Sequence, residues 1–106
     1  MATVTKLERD PTVLDSRHYT IEAENDATRV VRIRYGPREK SVMHQHPRGV
    51  GVFLTDADFT FTYPDGTTEP IKAKAGEILS FDEPWEHNSE NNTDNRFEAI
   101  YVEIKP

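Results

Sequence analysis

Apolar and polar residues alternate with period two along most of the chain after residue 30, the repeat of a strand that buries one face. Val31, Ile33 and Tyr35 share one side of a segment whose other side carries Val30, Arg32 and Arg34, and Gly36-Pro37 ends it. Short strands follow over 41–46 and 50–54, and then Phe59, Phe61 and Tyr63 alternate with Thr60 and Thr62. In Tyr63-Pro64-Asp65-Gly66 the proline presets φ and the glycine accepts a positive φ, so a hairpin leads to a strand over 67–75. Gly76-Glu77 opens a strand over 78–81, residues 88–95 read as a polar loop, and a last strand over 97–104 sets Ile100, Val102 and Ile104 on one face. No stretch after residue 30 repeats with helical period.

Many short strands separated by turn signals predict an all-β, antiparallel sandwich or barrel. At 106 residues the chain fits one domain, because a second core would leave each half too small to bury enough apolar surface. Within it, residues 1–29 are expected to form an N-terminal arm and first strand and residues 30–106 the barrel. The first 15 or so order only by docking on the body or on a partner chain. So small a core under so polar a surface makes a homodimer the default expectation.

Charge and composition narrow the chemistry. Thirteen basic against nineteen acidic residues, net −6, provide no footprint for a phosphate backbone or an anionic membrane, so neither nucleic acid nor membrane is expected as a partner. Nothing approaches the roughly 20 apolar residues of a membrane helix, and residues 1–10 lack a signal-peptide core, so a cytoplasmic location is expected. With no cysteine, thiolate zinc sites, iron–sulfur clusters and cysteine nucleophiles are excluded together. Any metal must sit on nitrogen and oxygen.

His44-Gln45-His46 lies in a strand-like segment, where residues i and i+2 project from one face, so both imidazoles can converge on one ion while Gln45 points away. His87, after a turn and a short strand, is placed to supply a third ligand. Three neutral imidazoles leave coordination positions open for water or substrate. An H-x-H is by itself also the mark of two exposed histidines or of one hydrogen-bonded core residue.

The chain resembles the cupin superfamily, specifically its small single-domain conserved-barrel (cupin type-2) members, over roughly residues 30–104. Their second motif, G-x5-P-x-G-x2-H-x3-N, is matched in spacing by Gly76, His87 and Asn91, with Asp82 and Pro84 at its proline and inner glycine. Their first, G-x5-H-x-H-x3,4-E-x6-G, is met by His44 and His46, with Arg38 at the opening glycine, Gly36-Pro37 just before it, and Ala57 near the closing one. The motif's glutamate falls on Val50 or Gly51, neither of which can bind metal. The resemblance implies a jelly-roll-like double-stranded β-helix, partly closed by dimerisation, holding one divalent transition metal on His44, His46 and His87 without a carboxylate. Iron is expected first, with nickel, zinc, manganese or copper as alternatives. It further implies a metal-dependent, dioxygenase-like oxidoreductase acting on a small oxygen- or sulfur-bearing molecule. The alternatives are a non-catalytic metal or small-ligand sensor and a cupin isomerase or lyase.

Other residues carry two readings each. His18 is taken as exposed or as a dimer contact and kept out of the ligand set. Trp85, Phe81 and Met43 either wall the pocket or pack the core. Arg32 and Arg34 either clamp a substrate carboxylate or sit in salt bridges on a solvated face. Tyr35 and Tyr101 are proton donors or packed rings, and Asp82, Glu83 and Glu86 either reach the metal or form a solvated rim. No nucleophilic triad, phosphate loop or heptad is present.

Overall fold

The computed structural model describes residues 8–106. A short helix α1 (Pro11–Leu14) precedes nine strands, β1 (Tyr19–Glu24), β2 (Thr28–Tyr35), β3 (His44–His46), β4 (Gly49–Phe53), β5 (Ala57–Thr62), β6 (Thr68–Ala73), β7 (Ile78–Phe81), β8 (Trp85–Asn91) and β9 (Phe97–Ile104). They form two antiparallel sheets, ordered β1-β2-β9-β4-β7 and β3-β8-β5-β6, whose facing sides enclose the core of a double-stranded β-helix. Among the described residues no helix is long and apolar enough to cross a membrane.

The period-two pattern sets the faces. On β2, Val31 and Tyr35 are buried among Tyr19, Phe53, Phe59 and Phe97, with Ile33 packed against them. Arg32 and Arg34 face out and pair with Glu98, and Arg32 pairs with Glu22 as well. At the β5–β6 turn Gly66 takes φ +87°, and Asp65 accepts a hydrogen bond from the Thr67 amide at 2.9 Å, as the turn residues predict. Gly49 is required for a different reason. A Cβ there would stand 2.2 Å from the Val102 carbonyl oxygen and 2.9 Å from the Tyr101 ring, so β4 and β9 approach this closely only over glycine.

Three sequence expectations are corrected. Residues 88–91 belong to β8 and not to a loop. Ser89 and Asn91 point inward although polar, because the Ser89 amide donates to Ser41 Oγ at 2.9 Å and Asn91 Nδ2 donates to the carbonyls of Gly36 and Asn95. The strand expected over 41–46 shortens to His44–His46, and the Val42 carbonyl is occupied by the His44 side chain at 2.8 Å. His18 is neither exposed nor free: it is buried, stacks on Tyr35 at 4.2 Å and 7°, and sets Nδ1 on Asp15 and Nε2 on Glu39.

The described part of the arm is docked. Asp10 caps α1 by accepting from the Thr12 amide at 2.9 Å, and Arg29 on β2 ties Asp10 to Glu103 of β9 at 2.9 and 2.7 Å. The Arg9 carbonyl accepts from the Gln45 amide at 2.8 Å, which holds the arm along β3. Replacing Gly49 by alanine forces β4 away from β9 and should destabilise the chain by on the order of 3 kcal/mol, read from chemical denaturation midpoints. A loss below about 0.5 kcal/mol, the scatter of surface substitutions, would contradict this packing.

Candidate metal centre

β3 and β8 run antiparallel with His44 opposite His87 and His46 opposite Trp85. Alternation along β3 turns His44 and His46 inward and Gln45 outward, and the same alternation along β8 turns His87 inward and Glu86 outward onto Arg9, 3.4 Å away. The three imidazoles are therefore buried together, each offering a nitrogen within 4.8 Å of the others, a group that could hold a metal ion. Among the described residues no carboxylate joins them.

Electrostatics keep all three neutral. Burial lowers the His44 pKa to about 4 despite its hydrogen bond to the Val42 carbonyl. Burial likewise drives His46 and His87 well below the usual imidazole range, and the neighbouring imidazoles lower them further. Because His44 Nδ1 donates to Val42, its Nε2 carries a lone pair, and this faces His46 Nε2 at 2.9 Å. Two nitrogens each about 2.1 Å from one ion stand roughly 3 Å apart when they occupy adjacent positions, so the spacing fits a shared metal. Among the described residues His46 Nδ1 is buried with no hydrogen-bond partner, which no arrangement of protons among the three rings repairs. The donor set suits a transition ion: neutral nitrogens, no competing cation, and open positions.

Aromatic rings surround the group. Trp85 lies 4.5 Å from the His46 ring and 4.3 Å from His87, and stacks on Phe81 at 4.2 Å and 17°. Phe61 meets His87 at 4.2 Å, edge to face, and Tyr101 stands 5.3 Å from His46. Tyr19 packs on His44 at 4.7 Å and exchanges a hydrogen bond with Tyr35 at 2.5 Å. Burial pushes the hydroxyls of Tyr35 and Tyr101 up to about 12 and that of Tyr19 well above its usual value, so all three stay protonated at neutral pH.

Trp85 and Phe81 thus line the cavity beside the histidines, as the wall reading has it, and so do Tyr35 and Tyr101. Tyr101 donates to the Pro47 carbonyl at 2.6 Å and accepts from Trp85 Nε1 at 3.2 Å, so its hydroxyl braces the wall. Asp82 and Glu83 are exposed and do not line the cavity, and Arg32, Arg34 and His18 lie outside the group. Met43 is half-buried, its carbonyl accepting from Arg9, and does not line the cavity. Sequence reasoning missed Tyr19, Phe61 and Ser89. Ser89 shares the inward face of β8 with His87, a relation hidden once residues 88–91 were read as loop.

Comparison with known proteins decides the family. A cupin domain from Bordetella pertussis Tohama I superposes with a TM-score of 0.77 and 26% identity, covering 83% of this chain and 92% of that one. The chain belongs to the cupin superfamily. Two further structures match at lower identity. One is a cupin superfamily protein from Desulfitobacterium hafniense DCB-2 (TM-score 0.62, 12% identity, covering 95% and 99% of the two chains). The other is a predicted oxalate decarboxylase from Thermotoga maritima (TM-score 0.60, 22% identity, covering 83% and 79%). No family model and no curated protein matches the chain.

In this cupin the position left without a carboxylate is resolved. Gly51 of β4 pairs with Tyr101 and lines the cavity, and the Tyr101 ring covers it. Val50 pairs with Val102 on the outer side.

The lowered imidazole pKa values carry a stability signature. His44 has a folded pKa of about 4 against an unfolded value near 6.5, so between these pH values the unfolded chain binds the extra proton. The metal-free cupin should therefore lose stability as pH falls from about 6.5 to about 4, by about 3 kcal/mol from His44 alone. His46 and His87 act in the same direction. Denaturation midpoints measured across that window check this, and a flat profile would contradict the buried neutral group.

Proposed function

We propose that His44, His46 and His87 hold one divalent transition metal, iron in the first instance, and that this cupin is a metal-dependent, dioxygenase-like oxidoreductase acting on a small oxygen- or sulfur-bearing molecule. The observation that carries the reading is the burial together of three neutral imidazoles, each with a nitrogen within 4.8 Å of the others, and no carboxylate among them in the described residues. When bound, the metal would supply a Lewis-acid and redox centre that keeps its full double charge and several open positions.

The chain's own residues support such a site in three ways. The hydrogen bond from His44 Nδ1 to Val42 fixes the tautomer that presents Nε2 to the ion. The stack of Phe81 on Trp85, beside His46 and His87, limits water at the group, which strengthens every electrostatic interaction there. Tyr101, held by Pro47 and Trp85, stands beside Gly51, where a fourth side-chain ligand would start, and walls the cavity there.

A non-catalytic metal or small-ligand sensor is the second reading, and it is favoured by the same absence of a carboxylate base in the cavity. Single replacement of His44, His46 or His87 by alanine should lower bound metal, by elemental analysis, from one equivalent to less than a fifth of that. Full retention in all three variants would overturn the site. Iron-loaded wild type should consume dioxygen with at least one of a panel of small thiols and diketones, and silence across the panel would leave the sensor reading.

A further inference from the structure

A cavity of about 70 Å3, partly open to solvent, adjoins His46 and His87, and its wall is almost wholly apolar. Among the described residues no lysine, arginine, aspartate or glutamate lines it. The guanidinium groups of β2 are committed elsewhere, Arg29 to Asp10 and Glu103, Arg32 to Glu22 and Glu98, and Arg34 to Glu98. A carboxylate at the apolar end of this space would lose its water and find no cationic side chain in the wall.

Gly51 opens part of that space. Its φ lies outside the left-handed region, and a Cβ there would meet only Tyr101 Cδ1 at 3.6 Å and the Leu79 carbonyl oxygen at 3.9 Å, both ordinary contacts. The backbone therefore does not demand glycine, in contrast to Gly49. What the missing side chain provides is room beside the histidines.

We propose that this cavity takes the uncharged, apolar body of a small ligand whose donor atom faces His46 and His87, and that Gly51 sets the size of that body. Dry apolar cavities of about 150 Å3 hold benzene, so about 70 Å3 suits a body of roughly three heavy atoms. Molecules with a second charged group, such as dicarboxylates and sugar acids, are excluded. The inference rests on the metal reading only for what the donor atom meets; the choice of body follows from the cavity wall.

The test compares two thiols with the same three-carbon chain, propane-1-thiol and 3-mercaptopropionate, which differ in the terminal carboxylate, titrated against the zinc-loaded protein. Trp85 is the single tryptophan and lies in the cavity wall, so its fluorescence reports binding without any turnover. Propane-1-thiol should bind at least tenfold more tightly than its acid counterpart. Gly51→Val should weaken propane-1-thiol at least tenfold while zinc stoichiometry stays at the wild-type level. Gly51→Ala, which needs no rearrangement, should give an intermediate loss and serves if the valine variant does not fold. Equal or tighter binding of 3-mercaptopropionate, or unchanged affinity in the folded Gly51 variants, would overturn the proposal. Failure of the metal reading shows separately, as wild type that retains no zinc in equilibrium dialysis. The same titrations are then made on metal-free protein, where a preference for the thiol supports the cavity assignment and its absence overturns it.

Discussion

Three imidazoles buried against one another, with no carboxylate among them in the described residues, form the constraint on which the rest of this structure depends. Each ring gives up its hydration, and protonation of any one would place an unpaired charge in the core. The barrel answers by fixing one tautomer through Val42 and by surrounding the rings with aromatic faces. What remains unmet among the described residues is His46 Nδ1, while the two Nε2 atoms, 2.9 Å apart, share a proton in the metal-free protein and would share a cation in its place.

The strands that carry the histidines are held by parts of the chain that look unrelated to them. β3 is only three residues long, and the arm that lies along it is fastened through Gln45, Asp10 and Arg29. Tyr101 packs beside His46 because Gly49 lets β4 come close to its ring. Two glycines of one strand therefore act differently: Gly49 is demanded by backbone contact, whereas Gly51 leaves volume at the ligand cavity.

Much of this was legible in the residues. Alternation in β2 and β9, the turn at Gly66 and the H-x-H spacing in β3 each have a direct geometric meaning, so the fold class, the inward pair His44 and His46, and the convergence of His87 on them could be read before the structure. The same logic failed at β8 because Ser89 and Asn91 face inward while polar. Their hydrogen bonds to Ser41, Gly36 and Asn95 come from segments distant in sequence, and no local pattern announces them. His18 was misjudged for a similar reason, since its partners Tyr35 and Glu39 are brought to it only by the folding of β1 on β2. Tyr19 and Phe61 carry no motif, and their place beside the site follows from sheet packing alone.

The measurement that bears most directly on the central claim is anomalous diffraction from crystals of the protein as purified, collected across the absorption edge of whichever metal X-ray fluorescence finds. The account predicts one peak in the barrel, within about 2.2 Å of an imidazole nitrogen on each of His44, His46 and His87, with no carboxylate in contact. A map with no anomalous peak at that point after soaking in iron, zinc, nickel, manganese and copper, and with the three rings hydrogen-bonded only to one another or to water, would contradict it.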